Sequence, residues 1–165
     1  MEMAYRLGFL TESKELVRMA ELYLYNEIPY RAGFVLEKGF AEERIEKNER
    51  NLQLLADSWL TAKEFDRALP PLVRAAKLSE EGDLSLRLGH VYLQRDDFKN
   101  AATALRNALR KGGLAKPSSA ELLLGITLFQ LGESQESENA FKRAANHEST
   151  RKSAQEWLTH LRRSL

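Results

Sequence analysis

The side chains that most often carry chemistry in proteins are few in this sequence and widely scattered. There is no cysteine, which excludes disulfides and thiolate metal sites. The three histidines, His90, His147 and His160, are not placed at the His-Glu-x-x-His spacing that binds zinc on one helix face. We interpret His90 as a solvated or peptide-contacting residue, and we predict no metal site and no bound cofactor.

Adjacent carboxylates are the second class of candidates, and three such pairs occur: Glu42–Glu43, Glu80–Glu81 and Asp96–Asp97. All three fall where turns are expected, whereas a catalytic pair needs burial to separate its two pKa values. The pair Gly112–Gly113 lacks the lysine and hydroxyl residues that follow in a phosphate-binding loop, and no nucleophile elbow is present. We predict that the protein is not an enzyme and has no catalytic residue.

Length and charge narrow the class of protein further. The chain has 165 residues, which is a one-domain length, and its 25 basic and 24 acidic side chains give a net charge of +1. This balance argues against a protein that coats a nucleic-acid backbone. The longest strongly apolar run, residues 121–131, is too short to span a bilayer, so no direct membrane insertion is predicted.

The elements that position these side chains are predicted to be helices. Apolar residues recur at helical spacing through residues 86–109, while strictly alternating runs and hairpin dipeptides are missing. The polar stretch 94–99 indicates a turn between two helices, with Asp96 or Asp97 as the N-cap of the second. Pro70 and Pro71 fall early in a predicted helix, where we expect a slight kink and no break.

This pattern of two helices recurs in four units, which begin near residues 13, 49, 82 and 118. Each unit keeps the same order of small and large residues at six positions; in the third unit they are Leu88, Gly89, Tyr92, Ala101, Leu105 and Ala108. Small residues let two helices approach closely, and the large ones fill the space beside the contact. One unit alone cannot bury its apolar stripe, so the units must stack.

The small–large pattern resembles the tetratricopeptide repeat (TPR) family over about residues 13–149. The resemblance implies an all-α fold: a right-handed superhelical solenoid of about four helix–turn–helix units in a single domain, residues 1–165. The expected units cover residues 13–48, 49–81, 82–117 and 118–149. The amphipathic segment 150–165 is predicted to be a capping helix over the last unit.

The chain opens on an apolar segment that includes Met3, Tyr5, Leu7, Phe9 and Leu10. A stable solenoid does not normally begin with such an edge. We therefore expect either that the chain is the C-terminal part of a longer repeat array or that this edge packs back or against another copy, which makes self-association an alternative function.

In stacked helical pairs the first helix of each unit lines the concave side, where we expect a protein or peptide segment to bind. The candidate contact residues are Lys14, Arg18, Glu21, Tyr25, Gln53, Leu54, Asp57, Thr61, Arg87, His90, Gln94, Leu122, Leu123, Ile126, Phe129 and Gln130. The first helix of the fourth unit is apolar on all sides and must be covered on both. Two coverings remain open for Leu123 and Ile126: a partner segment, or the capping helix through Trp157 and Leu161.

A narrower resemblance covers four stretches of the chain, residues 23–39, 62–93, 108–132 and 150–158. They are similar to the C-terminal part of bacterial TPR proteins that are assigned to TonB energy-transduction systems. The resemblance implies an exported, periplasmic scaffold whose partners are TonB-system transport proteins. A cytoplasmic TPR adaptor or co-chaperone is the alternative.

Overall fold

The computed structural model describes residues 12–164, and the regular structure within that range is entirely α-helical. In chain order the helices are α1 (Ser13–Tyr25), α2 (Pro29–Ala41), α3 (Glu49–Thr61), α4 (Phe65–Leu78), α5 (Asp83–Leu93), α6 (Phe98–Lys111), α7 (Pro117–Gln130), α8 (Ser134–Ala145) and α9 (Glu148–Ser164). The predicted all-α fold is thereby confirmed. The expected apolar edge in residues 1–10 lies outside the described residues.

The helices form four hairpins, α1–α2, α3–α4, α5–α6 and α7–α8, and α9 follows the last of them. The first helices of these hairpins begin at Ser13, Glu49, Asp83 and Pro117, within one residue of the unit starts read from the sequence. Helix α4 continues from Phe65 to Leu78 through both of its internal prolines.

The two helices of a hairpin are in tight contact at the small residue that the repeat pattern places on the first helix. A Cβ atom added to Gly89 would lie 2.9 Å from Leu105 Cδ2, and one added to Gly125 would lie 2.5 Å from two ring carbons of Phe141. The equivalent residues in the first two hairpins, Ala20 and Ala56, are fully buried, as the repeat pattern predicts.

The aromatic position beside this contact is packed as the sequence predicts. Trp59 is fully buried on α3, and the equivalent Tyr92 is partly buried on α5. Burial, together with the nearby carboxylate of Asp97, raises the pKa of the Tyr92 phenol above its ordinary value. Asp97 itself is the N-cap of α6, because its side chain accepts a hydrogen bond from the Asn100 amide at 3.2 Å.

The chain divides after Leu78 into two compact units, one with α1–α4 and the other with α5–α9. Among the described residues of the first unit, the largest fully buried side chains are those of Trp59, Leu36 and Leu72. In the second unit one buried cluster joins α6, α7 and α8: Ala102, Leu105, Leu124, Leu128 and Ala140. The single domain expected from the sequence stays a prediction.

Helix α9 packs on α8 and α7 and closes the fourth hairpin. The Trp157 ring stacks on Phe141, with ring centroids 5.7 Å apart, and meets Phe129 edge-on at 5.6 Å. At the start of the helix, the buried Thr150 hydroxyl donates a hydrogen bond of 2.6 Å to the Ala144 carbonyl near the end of α8. The segment predicted as a capping helix is thus a helix, and it covers the aromatic side chains of the last hairpin.

Candidate functional site

A cavity of about 400 Å³ lies in the second unit between the first helices of its two hairpins, α5 and α7. Helix α5 contributes Asp83, Leu86 and His90, which follow one another at helical spacing on one face. The other lining residues come from α7 and the connection before it: Ala115, Lys116, Ser119, Ala120, Leu122, Leu123 and Ile126. We call this cavity the α5–α7 groove.

The composition of α7 explains why the groove exists. This helix is apolar on nearly every side. Its residues Ala120, Leu124 and Leu128 are buried by packing within the unit. Leu122 and Ile126, one helical turn apart, remain only half-buried because no other described element covers their side of α7. An apolar strip is therefore left open toward α5.

The groove has an apolar floor and a polar rim. The floor consists of four half-buried aliphatic residues: Leu86, Leu122, Leu123 and Ile126. The rim consists of four exposed polar residues: Asp83, His90, Lys116 and Ser119. One carboxylate and one ammonium group balance each other there. A site of this kind accepts an aliphatic or aromatic side chain, while the rim can hydrogen-bond to a backbone.

Four of the residues predicted as groove contacts come together here: His90, Leu122, Leu123 and Ile126. Arg87 lies on α5 and Gln94 directly follows that helix, but neither lines the groove. Phe129 lies farther along α7 and contacts the rings of Trp157 and His160, and Gln130 is exposed at the end of that helix.

The remaining candidates belong to the first unit, on its helices α1 and α3. Those on α1 are all exposed: Lys14, Arg18, Glu21 and Tyr25. Glu21 accepts a hydrogen bond of 3.1 Å from Arg50, so its charge is partly satisfied by the neighbouring hairpin. Those on α3 are half-buried except for the exposed Thr61: Gln53, Leu54, Asp57 and Thr61.

Of the two coverings expected for Leu123 and Ile126, the structure excludes the terminal helix, and a partner segment stays a prediction. Every residue that lines the groove comes from α5, α7 or the α6–α7 connection, so α9 is not part of its wall. Trp157 of α9 instead contacts Phe129 and Phe141. The terminal helix thus covers the C-terminal part of α7, while Leu123 and Ile126 still face the groove.

Sequence reasoning missed several lining residues, and the reasons differ. Leu86 lies one turn before His90 on α5, so extending the face of His90 backward would have found it. Ala115 and Lys116 belong to a connection that occurs once in the chain and has no counterpart in the other repeats. No periodic signal points to such residues.

The carboxylate pairs considered for acid–base chemistry lie in connections between helices. Five of their members are exposed: Glu42, Glu43, Glu80, Glu81 and Asp96. The sixth, Asp97, is occupied as the N-cap of α6. Within residues 12–164 no group of three or more His, Asp or Glu side chains is placed to hold a metal ion. No helix in that range is both long and apolar enough to cross a membrane.

Comparison with known proteins agrees with the helical-repeat fold. Residues 86–154 match the tetratricopeptide repeat family. The crystal structure of MamA resembles this chain with a TM-score of 0.67 at 20% identity, over 87% of this chain and 82% of that one. YrrB, described as a TPR protein with an unusual peptide-binding site, resembles it with a TM-score of 0.69 at 19% identity, over 87% of this chain and 73% of that one.

No curated protein matches the chain. At these low identities the solved structures show the fold alone, which is that of TPR proteins. The family match adds that the segment from α5 into α9, which includes most of the α5–α7 groove, is similar in sequence to such repeats.

Proposed function

We propose that the protein is a non-enzymatic scaffold that binds a peptide segment of a partner protein in the α5–α7 groove. The observation that carries the proposal is an open cavity of about 400 Å³. It has an aliphatic floor, and the charges of Asp83 and Lys116 at its rim sum to zero. A volume within the usual range for ligand sites, about 300–1,000 Å³, accommodates one or two large side chains of an extended segment. The peptide-binding site ascribed to YrrB, a protein of the same fold, supports this use of the fold.

The binding energy comes mainly from apolar contact with the floor. Burial of apolar surface contributes roughly 25 cal/mol per Å². We therefore expect the segment to insert a leucine, isoleucine or phenylalanine between Leu86 and Ile126. The exposed His90 and Ser119 are placed to hydrogen-bond to the backbone of the bound segment.

Selection of random dodecamer peptides displayed on phage, followed by calorimetric titration of the synthetic consensus peptide, tests the proposal. The expected consensus contains a large apolar residue. The double substitution Leu122→Asn with Ile126→Asn should weaken its binding by about tenfold or more, because both side chains lose apolar contact. The control is Leu78→Asn, at an exposed leucine in the first unit. This substitution should leave the affinity for the consensus peptide unchanged. Equal affinity for the groove variant and the wild-type protein would refute the assignment.

A partner class for this scaffold is proposed from the narrower sequence resemblance alone. We extend the proposal to a periplasmic location and to transport proteins of a TonB system, which the similarity over residues 23–39, 62–93, 108–132 and 150–158 supports. Calorimetric titration with the periplasmic domains of those proteins is the direct test. If none of them binds, this partner class is excluded, but the proposal that the α5–α7 groove binds a peptide is unaffected.

A further inference from the structure

A second cavity, of about 290 Å³, lies in the first unit between the second helices of its two hairpins, α2 and α4. Its floor is apolar and consists of Phe40, Leu52 and Leu55. Pro70 and Pro71 form part of the wall along α4, and because proline has no N–H group, their rings present only carbon atoms there. We call this cavity the α2–α4 pocket.

Four charged side chains line the α2–α4 pocket: Glu37, Lys47, Arg67 and Arg74. Glu37 and Arg67 form an ion pair with each other. The Arg67 guanidinium is also fixed over the Trp59 ring, 3.6 Å from its centroid, and lies 4.5 Å from that of Phe34. Arg67 is therefore engaged within the protein and offers little charge to a ligand.

Lys47 and Arg74 are different, because both are exposed and neither has an ion-pair or hydrogen-bond partner among the described residues. With Glu37 and Arg67 neutralising each other, these two cations give the pocket a surplus of two positive charges. They stand in the connection before α3 and on α4, above the apolar floor. An apolar floor beneath two unpaired cations is complementary to an apolar side chain flanked by carboxylates.

We propose that the α2–α4 pocket binds an acidic segment of a partner protein, in which aspartate or glutamate residues flank a leucine or phenylalanine. The apolar side chain contacts Phe40, Leu55 and the proline rings. The carboxylates accept charge-assisted hydrogen bonds from Lys47 and Arg74. Acidic residues on either side of the apolar one bring carboxylates to the border of the pocket, where the long side chains of Lys47 and Arg74 can reach them.

This site is independent of the α5–α7 groove, because all of its residues belong to the first unit and all of the groove's belong to the second. The chemistry of the two sites also differs: the groove has a balanced rim, whereas the pocket has an excess of positive charge. Failure of one proposal therefore leaves the other standing.

The test uses the full chain and two blocked peptides, Asp-Leu-Glu-Phe-Asp-Leu and its amide analogue Asn-Leu-Gln-Phe-Asn-Leu. Calorimetric titration should show the acidic peptide binding about tenfold more tightly than the analogue. Binding should weaken as NaCl rises from about 50 mM to about 500 mM, because salt screens exposed charges. Amide chemical shifts measured by NMR should change in α2, in α4 and around Lys47.

The charge requirement is tested with Lys47→Gln combined with Arg74→Gln, which should weaken binding of the acidic peptide by about tenfold. The matched control is Arg50→Gln combined with Lys63→Gln, which removes the same two residue types from exposed positions of the first unit outside the pocket. The control should bind as the wild-type protein does.

Three results would overturn the proposal: equal affinity for the two peptides, an equal loss in the control variant, or chemical-shift changes confined to α5 and α7.

Discussion

At Gly125 there is no room for a methyl group where α7 crosses α8. An added Cβ atom would lie 2.5 Å from the fully buried Phe141 ring, and the Gly125 carbonyl accepts a hydrogen bond of 2.8 Å from the buried Ser137 hydroxyl. We expect Gly125→Ala to lower the free energy of unfolding by about 1–3 kcal/mol, because overpacking outweighs the gain in helix propensity. Urea unfolding followed by circular dichroism measures the change.

The double variant Gly125→Ala with Phe141→Leu is the control for this prediction. A smaller side chain at residue 141 makes room for the methyl group, so the double variant should lose less stability than the sum of the two single variants. Additive losses, or a Gly125→Ala protein as stable as the wild type, would contradict the packing argument.

Residues at the six repeat positions were predictable, because the same contact between two helices recurs in all four hairpins. Gly89 and Gly125 could be recognised as positions of close helix approach, since a small residue recurs there in every hairpin. Lys47 and Lys116 could not be recognised in this way. Each stands in a connection that occurs once, and its position depends on the packing of helices that are distant in sequence.

Among the elements, α9 depends on one buried hydrogen bond at its start. The Thr150 hydroxyl is buried and donates to the Ala144 carbonyl at 2.6 Å. Thr150→Val keeps the shape of the side chain but removes this donor, while the Ala144 carbonyl still accepts from the His147 amide, so we expect a loss of about 0.5–1.5 kcal/mol in unfolding free energy. The indole N–H signal of Trp157 in NMR spectra should report the loosening of α9 at a lower urea concentration than in the wild-type protein.

Thr159→Val is the matched control for this element. Thr159 lies on the same helix, but its side chain is exposed and its hydroxyl donates to the carbonyl of Gln155 within α9. The expected change is below about 0.5 kcal/mol, as for most surface substitutions. Equal losses at both positions would mean that the contact with Ala144 does not hold the helix in place.

The covering of α7 could be predicted only in part from the sequence. The sequence predicted that α7 is apolar on nearly every side and must be covered. It did not show which part α9 covers, because that depends on the stacking of Trp157 on Phe141. This stacking brings Trp157 against Phe129 and leaves Leu122 and Ile126, nearer the start of α7, facing the groove.

For the molecule as a whole, the division after Leu78 predicts that residues 79–165 fold alone. The buried cluster around Leu105, Leu124 and Leu128 lies entirely in this segment, so its main apolar contacts are kept. We expect a helical circular-dichroism spectrum, a cooperative thermal transition and unchanged affinity for the peptide selected on the full chain.

The comparison segment is residues 79–145, which lacks α9. Loss of the Trp157 ring exposes the otherwise buried Phe141, so this shorter segment should melt at a lower temperature than residues 79–165. A non-cooperative transition in residues 79–165 would show instead that the two units depend on each other for stability.

The position of α9 has a consequence for engineering longer versions of this protein. Its Trp157 and Thr150 occupy the surface of the fourth hairpin on which an added fifth hairpin would have to dock. New modules fused behind Ser164 would therefore find no complementary apolar face. Duplicating residues 117–145 ahead of Glu148 keeps α9 at the end of the chain and gives the last copy the contact with α9 that the fourth hairpin already makes.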